Sequence, residues 1–376
     1  VRITDEGGAR RLAVGDRTLT GAQLHVQSVL DIGDSDVLVS ASAGAEAAEP
    51  ETGESHVYRV NELGVERVSE GVGVHTAVRS GRVTVLVSAT PEQPGATARV
   101  LRDGKEIAVV ENRAERPVLT ARPVFTEGGA RRIPCAVLLP TGYSESDGPL
   151  PVLMDPYGGP HGRRVVAAHN PHLTSQWFAD QGFAVVVADG RGTPGRSPAW
   201  EKAVKNDLAL SLDDQVEALH ALAEHFPLDL DRVAVRGWSF GGFLAGLAAL
   251  RRPDVFHAAV VGAPVTDQRL YDTHYTERYL GDPAEAPEVY AHNSLITDAG
   301  LSEAAEQVRP MLIIHGLADD NVVVAHSLRL SSALLAAGRP HEVLPLSGVT
   351  HMTPQEKVAE NLLLLQVDFL KRSLGL

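Results

Sequence analysis

Gly237-Trp238-Ser239-Phe240-Gly241-Gly242 follows the apolar run Val233-Ala234-Val235 and precedes a stretch of small and apolar residues at 243–250. The order is strand, sharp turn, helix, with a serine at the apex. Such a turn lifts a hydroxyl clear of the backbone, where a base can reach it and a carbonyl can approach it. Glycines two before and two after the serine remove side chains that would block so tight a turn. Short glycine-serine patterns recur by chance, so the context carries more weight than the match. An acid and a histidine follow downstream.

The texture around this turn predicts its fold. From about residue 122 onward, strand-like runs at 135–139, 151–155, 184–188, 232–235, 258–261, 311–315 and 342–346 alternate with helix-period segments such as 212–224 and 325–337. That alternation predicts an α/β architecture, a doubly wound and mostly parallel sheet. The closing segment, 355–374, places Val358, Leu362, Leu365, Phe369 and Leu374 near helical spacing, which predicts a helix docked on the sheet. Before about residue 118 the chain reads differently. Short β-like runs at 37–42, 55–60, 82–87 and 98–102 are separated by polar turns, with Asp103-Gly104 as a hairpin signal. The small, acidic stretch 43–54 is expected to be an exposed loop. About two four-stranded blades fit here, as the end of a larger propeller or as a small sandwich. We therefore expect two domains, 1–118 and 119–376.

Composition narrows the function. The chain has 376 residues, 44% hydrophobic and 22% charged, which is ordinary globular composition. A formal charge of −14 argues against non-specific nucleic-acid binding. Cys135 is the only cysteine, so neither an intrachain disulfide nor a cysteine-rich metal site can form. It sits in an apolar run and reads as core. No apolar run approaches the ~18–20 residues that a membrane helix needs. No HExxH, Walker or dinucleotide fingerprint stands in the right context, so no metal or organic cofactor is expected.

A serine hydroxyl is a poor nucleophile at neutral pH. It needs a base, and the base needs an orienting partner. In open α/β sheets such groups gather beyond the carboxyl ends of strands. Ser239 follows one predicted strand. Asp319, in His315-Gly316-Leu317-Ala318-Asp319-Asp320-Asn321-Val322, follows another, with Asp320 as its competitor. His351, in Ser347-Gly348-Val349-Thr350-His351, follows the last and is the one of 15 histidines so placed. Serine, acid, histidine is the order of the α/β-hydrolase fold. We read Ser239 as nucleophile, His351 as general base and then acid, and Asp319 as orienting carboxylate. The Phe240 N–H is the expected first oxyanion donor. The second should come from Asp155-Pro156-Tyr157-Gly158-Gly159-Pro160, where Tyr157 can offer its hydroxyl or merely pack over a glycine turn.

These motifs, with Asp189-Gly190-Arg191-Gly192, resemble the prolyl oligopeptidase family of serine peptidases over roughly residues 120–376. The likeness is nearest to its dipeptidyl peptidase IV branch. It implies an α/β-hydrolase domain capped by a β-propeller, whose last blades would be the β-rich segment and whose missing part would lie upstream of Val1. It favours Asp319 over Asp320 and makes Tyr157 the oxyanion tyrosine. Tyr271-Asp272-Thr273-His274-Tyr275-Thr276-Glu277-Arg278-Tyr279 is similar to the proline-pocket segment. By the resemblance, Tyr271, Tyr275, Val265 and Val322 would line the pocket and Asn321 would hold a substrate carbonyl. A tyrosine pair four apart also fits plain helix packing.

The implied activity is release of amino-terminal dipeptides after proline or alanine, through an acyl-enzyme. The alternatives are an acylaminoacyl peptidase or broad aminopeptidase of the same family, then a carboxylesterase, then a non-catalytic module. Three departures stand out. Phe240 replaces the tyrosine usual after the nucleophile. Gln268 stands where the branch often has tryptophan. No glutamate pair of the kind that clamps a substrate amino terminus is visible. The expected partner is a peptide, with no nucleic acid and no membrane, and a homo-oligomer is left open. Val1-Arg2-Ile3-Thr4-Asp5 has neither a signal-peptide pattern nor an initiator methionine. A cytoplasmic location is expected, with secretion left open.

Overall fold

Runs of branched residues with no polar alternation form strands buried on both faces, and such strands need helices on either side. The computed structural model describes residues 1–44, 47–48 and 50–376 and contains that arrangement. Its largest sheet has eight strands among the described residues: β1 (Val124–Gly128), β2 (Ile133–Leu138), β3 (Leu150–Met154), β4 (Ala184–Ala188), β5 (Leu228–Trp238), β6 (Ala258–Gly262), β7 (Met311–Gly316) and β8 (Glu342–Leu346). Their order is β1-β2-β4-β3-β5-β6-β7-β8. The β1–β2 and β2–β4 pairs are antiparallel, and every pair from β4 to β8 is parallel. This is the α/β-hydrolase architecture expected from the alternating texture.

Six helices frame the sheet and the site: α1 (Leu173–Asp180), α2 (Leu210–Ala223), α3 (Phe240–Arg251), α4 (Thr273–Leu280), α5 (Ala325–Ala336) and α6 (Glu356–Leu374). One face of the sheet packs with α2 and α3 through Leu219, Phe243, Leu247 and Phe256. The other packs with α1 and α6 through Phe178, Phe183, Phe369 and Leu370. The docked face of α6 differs from the simple apolar pattern. Leu365 is half exposed, whereas Gln366 is buried. The reason is polar: Gln366 Oε1 accepts a hydrogen bond from Arg236 Nε on β5 (3.2 Å).

Before this sheet lie three antiparallel meanders. The first comprises Arg2–Glu6, Ala9–Val14 and Arg17–Thr18. The second and third are four-stranded: Leu24–Ile32, Val37–Ala43, His56–Asn61 and Gly64–Arg67, then Val74–Ser80, Val83–Ala89, Thr97–Arg102 and Lys105–Val110. The last two are the predicted blade-like units, and left-handed Asp103 and Gly104 close the final hairpin. Residues 45, 46 and 49 of the expected exposed loop lie outside the described residues. Its far end is docked rather than exposed, since Gly53 O accepts from Ala167 N (2.8 Å). Arg10 also reaches Glu201 with two hydrogen bonds (3.1 and 2.7 Å), so the first meander is tied to the segment after β4.

Two buried carboxylates tie the loops at the carboxyl edge of the sheet, and they titrate in opposite directions. Asp155, just past β3, receives Arg236 Nη1 (2.7 Å), Arg164 Nη1 and Nη2 (3.2 and 2.9 Å) and Ser175 Oγ (2.8 Å). Burial alone would push its pKa up. The adjacent Arg164 and Arg236 outweigh that and hold it below the ordinary carboxylate value. Asp189, just past β4, accepts from the backbone N–H groups of Arg164 and Val165 (2.9 and 2.7 Å). With no guanidinium hydrogen bond, burial dominates and raises Asp189 from 3.8 to about 6.

Two outcomes follow from this contrast. Asp155→Asn leaves two partly buried guanidiniums facing a neutral amide, and should cost about 3 kcal/mol in a denaturant titration. Asp189 behaves in the reverse sense. Between pH 4 and 6 the folded chain keeps a proton that the unfolded chain has released. Its contribution therefore stabilises the fold at low pH and is lost as pH rises through about 6. Stability measured from pH 4.5 to 7 should fall in the wild type relative to Asp189→Asn, by no more than about 3 kcal/mol.

Candidate active site

The elbow predicted around Ser239 is present and tightly built. Ser239 joins β5 to α3 with φ 60° and ψ −118°, a backbone region that non-glycine residues seldom occupy. A Cβ at Gly237 would collide with Gly241 O, and one at Gly242 with Gly262 O. Only glycine lets the turn close on itself and on the end of β6. Phe240 opens α3, so its N–H is among those a helix leaves without an intrahelical acceptor.

The acid and the histidine meet as expected. His351 Nδ1–H donates to Asp319 Oδ2 (2.7 Å), which leaves Nε2 as the acceptor of the neutral ring. Asp319 is buried and meets His351, whereas Asp320 is exposed. The other oxygen, Asp319 Oδ1, accepts from the N–H groups of Asn321 and Val322 (3.0 and 2.9 Å). Buried His315 stands behind the carboxylate. Its Nε2 bonds Val322 O (2.7 Å) and lies 3.3 Å from Asp319 Oδ2, while Nδ1 meets Ser327 Oγ (2.7 Å). Burial lowers its pKa and keeps it neutral.

The Ser239 hydroxyl is half-buried, and among the described residues no hydrogen bond joins it to His351. The link between the two loops runs through the neighbouring residue. Trp238 Nε1 donates to His351 O (2.7 Å). The indole lies against Gly262, where any Cβ would strike the ring. The residue before the nucleophile thus fixes the backbone of the histidine loop. The sequence reading missed this contact, because nothing local in the motif signals a bond spanning 113 positions.

Tyr157 lies over the same rim. Its ring centroid is 5.9 Å from that of Phe240, and its hydroxyl has no hydrogen-bond partner among the described residues. Burial, reinforced by Tyr271 and Tyr279, raises its pKa, so it remains a donor at neutral pH. Tyr271 and Tyr275 stack edge to face at 5.5 Å, and Tyr275 meets Tyr279 at 5.1 Å. Tyr271 OH reaches exposed Asn321 Oδ1 at 3.5 Å, at the limit of a hydrogen bond. Val265 and Val322 are both buried. Gln268 is buried too, and its amide donates to Asn293 O (3.1 Å), so its polarity is satisfied within the protein.

A profile of the prolyl oligopeptidase family matches residues 170–376, more than half of the chain. The chain belongs to the prolyl oligopeptidase family. It is 35% identical over 232 residues to dipeptidyl peptidase 8 of Mus musculus, covering 60% of this chain and 25% of that protein. It is 30% identical over 255 residues to a probable dipeptidyl-aminopeptidase B of Botryotinia fuckeliana, covering 67% and 27%. The chain thus matches about a quarter of the length of these curated relatives. In fold it is similar to the crystal structure of Porphyromonas gingivalis dipeptidyl peptidase 4, with a TM-score of 0.84 at 24% identity, over 98% of this chain and 53% of that one. Among the described residues no helix is long and apolar enough to cross a membrane.

The indole bond generates a sharp expectation for a family built on an activated serine. Trp238→Phe keeps the ring on Gly262 and deletes only the N–H. Labelling of Ser239 by a fluorophosphonate should slow about three- to tenfold, the effect of one lost hydrogen bond, with the melting temperature nearly unchanged. An unaltered labelling rate would remove Trp238 from the machinery.

Proposed function

We propose that this chain carries the catalytic part of a serine peptidase that releases dipeptides from peptide amino termini, after proline or alanine. One observation supports it above the others: three loops at successive regions of the sheet edge converge, with Asp319 on His351 and His351 held by the residue next to Ser239. In the proposed reaction His351 Nε2 takes the proton of Ser239 Oγ as that oxygen attacks the substrate carbonyl carbon. The Phe240 N–H and the Tyr157 hydroxyl stabilise the oxyanion of the tetrahedral intermediate. His351 then protonates the leaving amine, and the C–N bond breaks. Water, activated by the same imidazole, hydrolyses the acyl-enzyme.

Tyr271, Tyr275, Val265 and Val322 form the proposed pocket for the residue before the cleaved bond. Proline offers a compact ring and no N–H, so an aromatic wall with few unpaired polar groups suits it. Asn321, exposed at the rim, is assigned a substrate carbonyl. The names of the relatives, dipeptidyl peptidase 8 and dipeptidyl-aminopeptidase B, support the dipeptidyl reading. The division into a β-rich part, 1–118, and a catalytic part, 119–376, belongs to the same proposal.

A substrate panel tests it. Ala-Pro and Ala-Ala amides should be cleaved faster than single-residue or N-acylated amides, and Ser239→Ala should lower the rate by a factor of at least about 10³. Preference for acylated amides would convert the reading to an acylaminoacyl peptidase. Preference for simple esters over all amides would make it an esterase.

A further inference from the structure

The loop that carries Tyr157 is pinned at both ends by Asp155, once through its own position and once through Arg164. Between those anchors the chain turns back on itself, with left-handed backbone at Gly158 (φ 71°) and at His161 (φ 69°). A histidine kept at positive φ needs a contact that holds it there. That contact lies on α4. His161 Nε2 and the Tyr279 hydroxyl are 2.9 Å apart. The His161 ring also lies 5.6 Å from the Tyr275 ring and 6.1 Å from that of Tyr279. Tyr275 and Tyr279 are four apart, so they occupy one face of α4. Gly162, the next residue, is where Tyr157 rests: a Cβ there would collide with its ring.

We propose that His161 and Tyr279 form a latch that fixes the Tyr157 loop against the helix carrying Tyr275, which makes His161 a positioning residue for the oxyanion donor. This rests on the hydrolase reading of Ser239 and Tyr157 above. The latch joins two functions that the sequence keeps 118 positions apart. Tyr279 packs on Tyr275 of the proposed pocket, and His161 adjoins Gly162, the seat of the Tyr157 ring. With the latch closed, the Tyr157 hydroxyl and the pocket move as one unit. With it open, the two ends of the loop stay pinned while its apex is free. A donor displaced by about 1 Å loses its hold on the transition state, while ground-state contacts with Tyr271 and Tyr275 persist. His161 is exposed, so the bond adds little to global stability and its effect is confined to the chemical step.

The test is a double-mutant cycle in the full chain, using Ala-Pro p-nitroanilide as substrate. His161→Ala and Tyr279→Phe should each lower kcat by about three- to tenfold, with KM changed by less than about twofold. The double variant should be no slower than either single one, because both remove the same bond. His161→Gln, which can still bond the phenol, should recover most of the rate. A peptide boronate that mimics the tetrahedral intermediate should lose affinity in step with kcat, whereas a product dipeptide should not. Additive losses, losses confined to KM, or losses that track a lowered melting temperature would overturn the latch. Labelling of wild-type Ser239 by a fluorophosphonate separates the two claims. If the wild type is labelled and active but the cycle is additive, the latch alone fails. If Ser239 is not labelled, the hydrolase reading fails and takes the latch with it.

Discussion

Asp155 is the fixed point of this structure. A buried carboxylate is tolerated only when opposite charge and hydrogen bonds replace the lost water. Here that demand recruits β5 through Arg236, the loop after Tyr157 through Arg164, and α1 through Ser175. Arg236 extends the network to α6 through Gln366 and lies over the Phe178 ring at 4.5 Å. Arg236 stands three residues before Ser239, and Asp155 two before Tyr157. Ser239 and Tyr157, the proposed nucleophile and oxyanion donor, are therefore referenced to one carboxylate. Either can move only if the charge pairing of the core is disturbed.

Rigidity at the other side of the site comes from crowding rather than charge. The elbow closes because Gly237 and Gly242 bring backbone against backbone. The histidine loop approaches β7 so closely that a Cβ at Gly316 would strike Val349 O and Thr350 O. Ala318 N donates to Val349 O (3.0 Å), which ties the acid loop to the histidine loop by backbone alone. Trp238 adds the remaining bond. The imidazole is thus oriented by three contacts, of which only the Asp319 carboxylate belongs to the proposed triad. The absent Ser239–His351 hydrogen bond sits inside this frame, and such bonds often tighten only when substrate is present.

What could be read from the residues follows from how far each signal reaches. Strands at 184–188 and 258–261 were legible because burial on both faces leaves only branched and small residues there. Strand β1 was not, since Val124–Gly128 lies at the sheet edge and carries Thr126 and Glu127. The first meander was hidden for the same reason: Arg2, Asp5, Arg10 and Arg11 mask the alternation that buries Leu12 and Ala13. The proposed triad could be read as positions because each member follows its own strand; the structure joins Asp319 to His351, and among the described residues no hydrogen bond joins His351 to Ser239. Leu365 misled the reading of α6, because a periodicity argument has no way to know that Gln366 is wanted by Arg236. The Trp238–His351 and His161–Tyr279 bonds join residues with no shared local pattern, and only the folded chain reveals them.

The departures from the dipeptidyl peptidase IV pattern can be weighed in the same terms. Phe240 is buried, with its ring between those of Tyr157 and Phe243 at 5.9 and 5.4 Å. A hydroxyl there would need a partner within an aromatic cluster, so the apolar ring suits the site as built. The chemistry asks only for the Phe240 backbone N–H, which the side chain does not alter. Gln268 is different, because it is buried and carries an amide where that pattern often has an aromatic ring. Its side chain is drawn toward Asn293 O, at the end of the short helix Pro287–His292. The position of this side chain is therefore set by a hydrogen bond instead of aromatic packing. Under the proposed assignment both departures leave the reacting atoms untouched, and only the second exchanges an aromatic ring for an amide. Under that proposal, differences in preference between this chain and its relatives should arise at Gln268, with the proposed triad and oxyanion donors unchanged.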